Sequence, residues 1–178
     1  MGGSGSGRWG WHDKKTTVEE CLVLSAGNLA RDGVIAESRG SGSLWWTNTA
    51  TGEQTASAGY TREVANDVVV LRLRYTVTRR DDESVGVEEP IWLQTTPSTV
   101  GGFRWWFTCP LVVNGRGCGR RVGKLYLPPG GRYFGCRQCH DLTYTSCQES
   151  HRYDRLFRSL AADTGVDERL VQAMFARR

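Results

Sequence analysis

Long apolar runs are missing from this chain. A membrane helix needs roughly 18 consecutive apolar residues, and no segment of the 178 residues approaches that. The first residues also lack the apolar core of a secretory leader. The expectation is a cytoplasmic protein with reduced thiols and no membrane contact. Histidine is scarce: His12, His140 and His151 are the whole supply, and none is placed beside a serine or cysteine to suggest a triad. There is no P-loop and no H-E-x-x-H. Gly5 to Gly10 fits G-x-G-x-x-G, but it follows no strand and opens no helix, which excludes a dinucleotide site. Asp81, Asp82, Glu83, Glu88 and Glu89 form an acidic cluster without convincingly paired carboxylates. Acids on a turn between strands are usually solvated. The chain is therefore expected not to be an enzyme, with a metal-dependent nuclease as the weakest alternative.

What is present is an ordinary globular composition, 39% hydrophobic and 24% charged, enough for one compact domain or two small ones. The net charge of +4 is unevenly spread. Residues 1–103 carry ten Lys+Arg against thirteen Asp+Glu, whereas residues 104–158 carry ten against three. The positive excess thus coincides with the segment that holds most of the cysteines. This asymmetry points to a polyanionic partner, nucleic acid first. The bland alternative is a solvated basic face.

Residues 1–16 form an arm, in which the Gly/Ser run of residues 2–7, either an appended linker or a native extension, is followed by Arg8-Trp9-Gly10-Trp11-His12-Asp13-Lys14-Lys15. Interleaved rings and cations suit stacking and phosphate contact; equally, Trp9 and Trp11 can fold back onto a core. Residues 17–106 read as an antiparallel β domain. Glu20 to Leu24 is a short strand and Ser25 to Arg31 a helical turn, while residues 39–43 are a Gly/Ser loop. Leu44–Thr49 and Gln54–Tyr60 flank the Thr51-Gly52 turn. In Asp67–Thr78, Val69, Leu71, Leu73, Tyr75 and Val77 make a uniformly apolar face that should be buried. Glu88–Thr95 follows, with Pro90 pushing its start toward an edge. Phe103–Thr108 leads straight into Cys109. Trp45, Trp46, Trp92, Trp105 and Trp106 supply much of the expected core, with one member of each Trp pair facing outward.

Six cysteines are present. Cys136-Arg-Gln-Cys139 is a C-x-x-C, a spacing that lets two thiolates occupy adjacent corners of a tetrahedron. Cys109-Pro110 and Cys118-Gly119 are the two halves of a Cys-Pro-x-Cys-Gly knuckle, opened by an inserted hairpin whose turn is Asn114-Gly115. Val122–Leu127 and Arg132–Phe134 read as two strands across Pro128-Pro129-Gly130-Gly131. A cytoplasmic location argues against a disulfide. A redox C-x-x-C would open a helix after a buried strand, which this one does not. Iron remains an alternative to zinc in a four-thiolate site. His140 and Cys147 are reserve ligands, and Cys21, beside Leu22 and Val23, reads as buried and inert.

The order knuckle, hairpin, knuckle over residues 107–147 resembles the zinc-ribbon family, such as the ribbons of transposases and transcription proteins. The resemblance implies one structural Zn2+ held by Cys109, Cys118, Cys136 and Cys139. Arg116, Arg120, Arg121, Lys124, Arg132 and Arg137 decorate this module, with Tyr126, Tyr133 and Phe134 among them, Tyr126 and Phe134 being the expected core.

Residues 148–178 read as a helical hairpin. Tyr153, Leu156, Phe157, Leu160 and Ala161 repeat with helical period, leaving Arg152, Arg155 and Arg158 largely off the apolar stripe. Ala161, Gly165 and Val171 resemble the small, turn and apolar positions of a helix-turn-helix, which would make Arg169, Gln172 and Arg177 contact residues. Asp167 and Glu168 would repel phosphate there. The fold class expected is α+β: an antiparallel β-rich N-terminal domain, a zinc ribbon and a C-terminal helical hairpin. The expected role is a nucleic-acid-binding accessory protein, DNA before RNA, resembling those with which phages and mobile elements assist a recombinase or transposase. Its contacts would be Arg8, Lys14, Lys15, Arg116, Arg120, Arg121, Lys124, Arg132, Arg137, Arg152, Arg155 and Arg169. A protein–protein adaptor, with the ribbon as a mere staple, is the second expectation.

Overall fold

The computed structural model describes residues 15–35, 40–48, 50–65, 68–78, 83–99, 101–150, 158–162, 165, 167 and 170. The architecture is mostly antiparallel β, with few helical residues. Two compact units are formed, Met1–Leu142 and Thr143–Arg178.

In the first unit a 3-10 turn (Val18–Glu20) leads to β1 (Leu22–Ser25) and α1 (Ala26–Arg31). A six-stranded sheet follows from β2 (Gly40–Thr47), β3 (Gln54–Ala65), β4 (Val68–Thr78), β5 (Ser84–Pro97) and β6 (Phe103–Thr108), and is closed by β9 (Arg121–Val122). Each strand pairs antiparallel with its neighbour in the order β2-β3-β4-β5-β6-β9. The alternation of β4 is realised in part: of the expected buried face Leu71 and Leu73 are buried and Val69, Tyr75 and Val77 only half-buried, whereas Arg74, Thr76 and Thr78 are exposed. On the outer face Arg74 lies opposite Glu88 and pairs with it at 3.1 Å, while Arg72 bridges Glu63 and Glu88 at 3.7 and 3.4 Å. The core gathers Leu24, Leu29, Ile35, Leu71, Leu73, Ile91, Phe107, Leu125 and Phe134 together with Cys109 and Cys136. The cysteine-bearing segment therefore shares one core with the sheet.

Four expectations are corrected. The glycines and serines of the expected 39–43 loop are largely strand, since Gly40 to Ser43 pair with Arg62 to Gly59. The small residues make room for a ring: a Cβ on Gly42 would come within 2.9 Å of the Tyr60 side chain. The tryptophans are not the centre of the core. Trp45 is 66% and Trp92 42% exposed, while Trp46, Trp105 and Trp106 are half-buried. Trp46 sits at the margin, stacked on Phe134 at 6.0 Å and donating its indole N–H to the Val23 carbonyl at 2.8 Å. Branched aliphatics fill the interior instead, because they leave no polar tip to satisfy.

The third correction concerns Pro90. It lies in a strand flanked on both sides, yet pairing of β5 with β6 ends at Leu93↔Phe107. Continuing that register puts Pro90 opposite Pro110. Neither residue has an N–H to offer, so the two strands part there. Pro90 is still paired with Arg72 of β4 on its other side, so it sits in a central strand rather than at an edge and lacks only a β6 partner.

Last, residues 122–127 and 132–134 do not form a hairpin. Gly123 interrupts the first run, giving β9 to the large sheet, while β10 (Lys124–Leu127) pairs with β1 in the register Leu22↔Leu127 to Ser25↔Lys124. Across the Pro-Pro-Gly-Gly turn a single bridge remains, Tyr126 with Gly135, hydrogen-bonded both ways at 2.8 and 3.0 Å. β1 supplies a full four-residue partner for β10, which the segment after the double proline does not match.

In the second unit α2 (Thr145–Ser150) is helical, as are residues 158–162, and Gly165 takes φ 65° where the sequence pattern breaks. The remainder of the expected helical hairpin, with Arg152, Arg155, Arg169, Gln172 and Arg177, lies outside the described residues. So do Arg8, Trp9, Trp11 and Lys14 of the arm. Among the described residues no helix is long and apolar enough to cross a membrane.

Candidate metal centre and its cationic rim

Two knuckles converge on one point. The first follows directly from β6. Cys109 donates its N–H to the Arg120 carbonyl at 2.9 Å, and Cys118 donates to Leu111 at 2.8 Å. Between them β7 (Val112–Val113) and β8 (Arg116–Gly117) make the inserted hairpin. Its turn residues Asn114 and Gly115 have φ 51° and 75°, the pair of positive values that a type I′ turn requires. At the base of the hairpin Gly119 (φ 59°) turns the chain so that its N–H meets the Cys109 carbonyl at 3.2 Å. The insertion is thus a closed loop on an intact knuckle, and both sulfurs stay together.

The second knuckle wraps from Cys136 to Leu142. His140 N–H reaches the Cys136 carbonyl at 3.3 Å and Leu142 N–H the Arg137 carbonyl at 2.9 Å. All four sulfurs, of Cys109, Cys118, Cys136 and Cys139, lie within 4.8 Å of one another. The Cys109–Cys139 and Cys118–Cys136 sulfur pairs are each 3.9 Å apart. A tetrahedral ion with metal–sulfur bonds of roughly 2.3 Å wants sulfurs about 3.8 Å apart, so these edges fit directly. The Cys136 N–H already points at the Cys109 sulfur, at 3.2 Å. The four cysteines can hold a metal ion. The two reserve ligands stand apart from it: His140 packs against Gly135, and Cys147 is an exposed residue of α2. Cys21 is buried, its thiol donated to the Thr17 carbonyl at 3.3 Å, and burial with nearby Glu20 and Glu19 pushes it up to about 11.

The thiols ionise unequally. Burial opposes the Cys136 thiolate. The Cys139 N–H, the Cys139 and Cys109 thiols and the Arg120 guanidinium outweigh that and lower it to about 7. Burial pushes Cys109 up to about 11 and also raises Cys139 above the ordinary thiol range, with hydrogen bonding to Cys118 and Cys136 adding to the latter. A metal must displace the protons still held, so its apparent affinity falls about tenfold per pH unit for each such proton. Below pH 7 Cys136 joins the protonated set, and the fall steepens there. Chelator competition at a series of pH values should show metal released on acidification, with a steeper slope below about pH 7 than above. A pH-independent competition curve would exclude thiolate ligation.

Around the cluster lies a cationic rim. Arg120, Arg121 and Arg137 line a cleft of about 390 Å³ together with Val122, Cys136 and Gln138. Arg120 also leans on the Cys118 sulfur at 3.8 Å. Arg116 is exposed on the inserted hairpin and Lys124 is exposed at the start of β10. Arg132 lies over the Tyr133 ring at 5.2 Å. Tyr126 and Phe134 are core residues, as their place in the sequence suggested. Lys15 pairs with Asp141 at 2.7 Å, a side-chain contact between two exposed groups. Among the described residues the side chains of the acidic cluster do not converge. Glu88 is held by the two arginines of β4, and Glu89 faces the interior, where it accepts from Tyr75 O–H at 2.8 Å and Phe134 N–H at 3.0 Å. Asp81 and Asp82 lie outside the described residues.

Sequence reasoning missed Arg104 and Trp106. Arg104 lies 4.3 Å and Arg121 5.6 Å from the Trp106 ring centroid, while the indole N–H is donated to Thr96 at 2.9 Å. The signal was available, because residues two apart in a strand share a face.

Fold and site together define a mostly antiparallel β protein carrying a cluster of four cysteines close enough to hold a metal ion, with an arginine-rich rim. No family model, no curated protein and no solved structure matches this chain.

Proposed function

We propose that the chain is a non-enzymatic nucleic-acid-binding accessory protein whose cysteine cluster holds one structural Zn2+. Four thiolates at tetrahedral spacing, with backbone N–H groups turned toward sulfur, suit a closed structural zinc site. The observation that carries the nucleic-acid reading is the rim: Arg120, Arg121 and Arg137 line one cleft beside Cys136, in the segment that holds the positive excess. Arginine forks at fixed positions match phosphate geometry, and zinc would fix the two chain segments that carry them. DNA is the preferred partner. In this reading the acidic remainder of the first unit faces a protein partner in a DNA-processing complex, of the kind that phages and mobile elements use with a recombinase or transposase.

The cleanest test avoids Arg120, which also touches sulfur. Arg121→Ala with Arg137→Ala should leave metal content unchanged, weaken DNA binding and reduce the slope of log K against log salt by about 2, near 0.9 per lost phosphate contact. Metal-loaded protein that binds neither DNA nor RNA at low salt would leave the cluster as a staple and favour the adaptor.

A further inference from the structure

The outer face of the sheet near the cysteine cluster has a feature that this reading leaves unused. Thr108 pairs with Arg121, and one step beyond the pair Leu93↔Phe107 lie Trp92 and Thr108. Arg121 and Thr108 are thus paired across β9 and β6, and Trp92 of β5 falls on the same face of the sheet, one step past the last β5–β6 pair. Two residues along β6 stands Trp106, with Arg104 and Arg121 over its ring. Trp92 is 42% exposed. It borders the cleft of about 360 Å³ opened where Pro90 and Pro110 part the strands, a cleft lined also by Leu111, Val112 and Tyr133 and by two acids, Glu88 and Glu89.

These parts are of two chemical kinds, set side by side. The cleft is largely apolar and aromatic, and the glutamates that line it, Glu88 and Glu89, disfavour phosphate, so it suits the face of a base. Arg104 and Arg121 suit phosphate: among the described residues no carboxylate pairs with either, whereas Arg72 and Arg74 are tied to Glu63 and Glu88. Trp106, already covered by guanidinium groups, serves as the platform that holds them. A duplex buries its base faces and cannot use the cleft; an unpaired strand can place a base on Trp92 and its backbone along the arginines.

Resting on the nucleic-acid reading above, we infer that the preferred ligand is single-stranded, with one base stacked on Trp92 in the cleft between Pro90 and Pro110 and the adjoining phosphates held by Arg121 and Arg104. The test uses the full metal-loaded chain, a labelled oligodeoxythymidine of about fifteen nucleotides and a hairpin duplex, read by fluorescence anisotropy. Wild type should bind the single strand more tightly. Trp92→Ala should weaken it by about 5- to 150-fold, the range for loss of one base–aromatic stack. The same change should leave duplex binding within about twofold, and Trp92→Phe, which keeps a ring, should recover most of the loss. Unchanged oligodeoxythymidine binding by a folded Trp92→Ala variant, or tighter binding of the duplex, would overturn this inference while leaving nucleic-acid binding itself intact. Absence of binding to either form would overturn both.

Discussion

Changing Cys136 to serine should release the metal and unfold more than its own loop. Serine offers a hydroxyl that stays protonated at neutral pH and ligates poorly, so three sulfurs remain where four meet. Structural four-ligand sites of this kind contribute on the order of 10 kcal/mol of apparent folding free energy, comparable with the whole net stability of a typical domain. Cys136 and Cys109 belong to the same buried cluster as Leu71, Ile91, Phe107, Leu125 and Phe134, so the loss should spread into the sheet. The expected result is a fall from one metal per chain to none, with a large drop in the thermal midpoint of the unit Met1–Leu142. Cys147→Ser, at an exposed position of α2, should change neither. A Cys136→Ser protein that keeps stoichiometric metal would sink the ligand assignment.

The cysteine cluster was legible because its information is local. C-x-x-C spacing, Cys-Pro and Cys-Gly halves, and an Asn-Gly turn each dictate geometry within a few residues, and the hairpin insertion closes on itself without disturbing the sulfurs it separates. The alternation along β4 was legible for the same reason. What the pattern did not reveal was partnership. Nothing in Lys124–Leu127 says whether it pairs with residues just beyond the turn or with Leu22–Ser25 a hundred positions earlier. That choice depends on which edge stands in place when the chain folds, a property of the whole core. The Trp pairs misled because size suggests burial, whereas indole N–H groups require acceptors. Trp46 and Trp106 found them at the margins, at Val23 and Thr96. Pro90 and Pro110 are the converse case: Pro90 alone reads as a strand end, and only the register, continued past Leu93↔Phe107, sets the two prolines opposite each other where the strands part.

Removing the Glu89 side chain should be the second large effect, although Glu89 touches no cysteine. Its carboxylate is the tie between the sheet and the second knuckle. One oxygen accepts from Tyr75 O–H at 2.8 Å and from Phe134 N–H at 3.0 Å, and Phe134 lies two residues before Cys136. Burial raises the Glu89 carboxyl above the ordinary range, and these two hydrogen bonds pull it partly back. Alanine would strand the buried Phe134 N–H and leave a small cavity, costing about 2–4 kcal/mol. The loop carrying Cys136 would loosen with it, so metal should pass to a chelator faster. Glutamine keeps an acceptor oxygen and should cost less than about half as much. The pH dependence separates the two substitutions. A carboxyl whose folded value is raised favours folding in its protonated form, so its contribution is fully present below the unfolded value of 4.5 and lost as pH rises through the folded value. Glu89→Gln has no such titration, so the stability difference between wild type and Glu89→Gln should shift against wild type as pH rises across that window. Denaturant midpoints of the metal-loaded proteins at several pH values measure both effects. An alanine variant as stable as wild type, with unaltered metal exchange, would show that the sheet and the knuckle are held together by their apolar core alone.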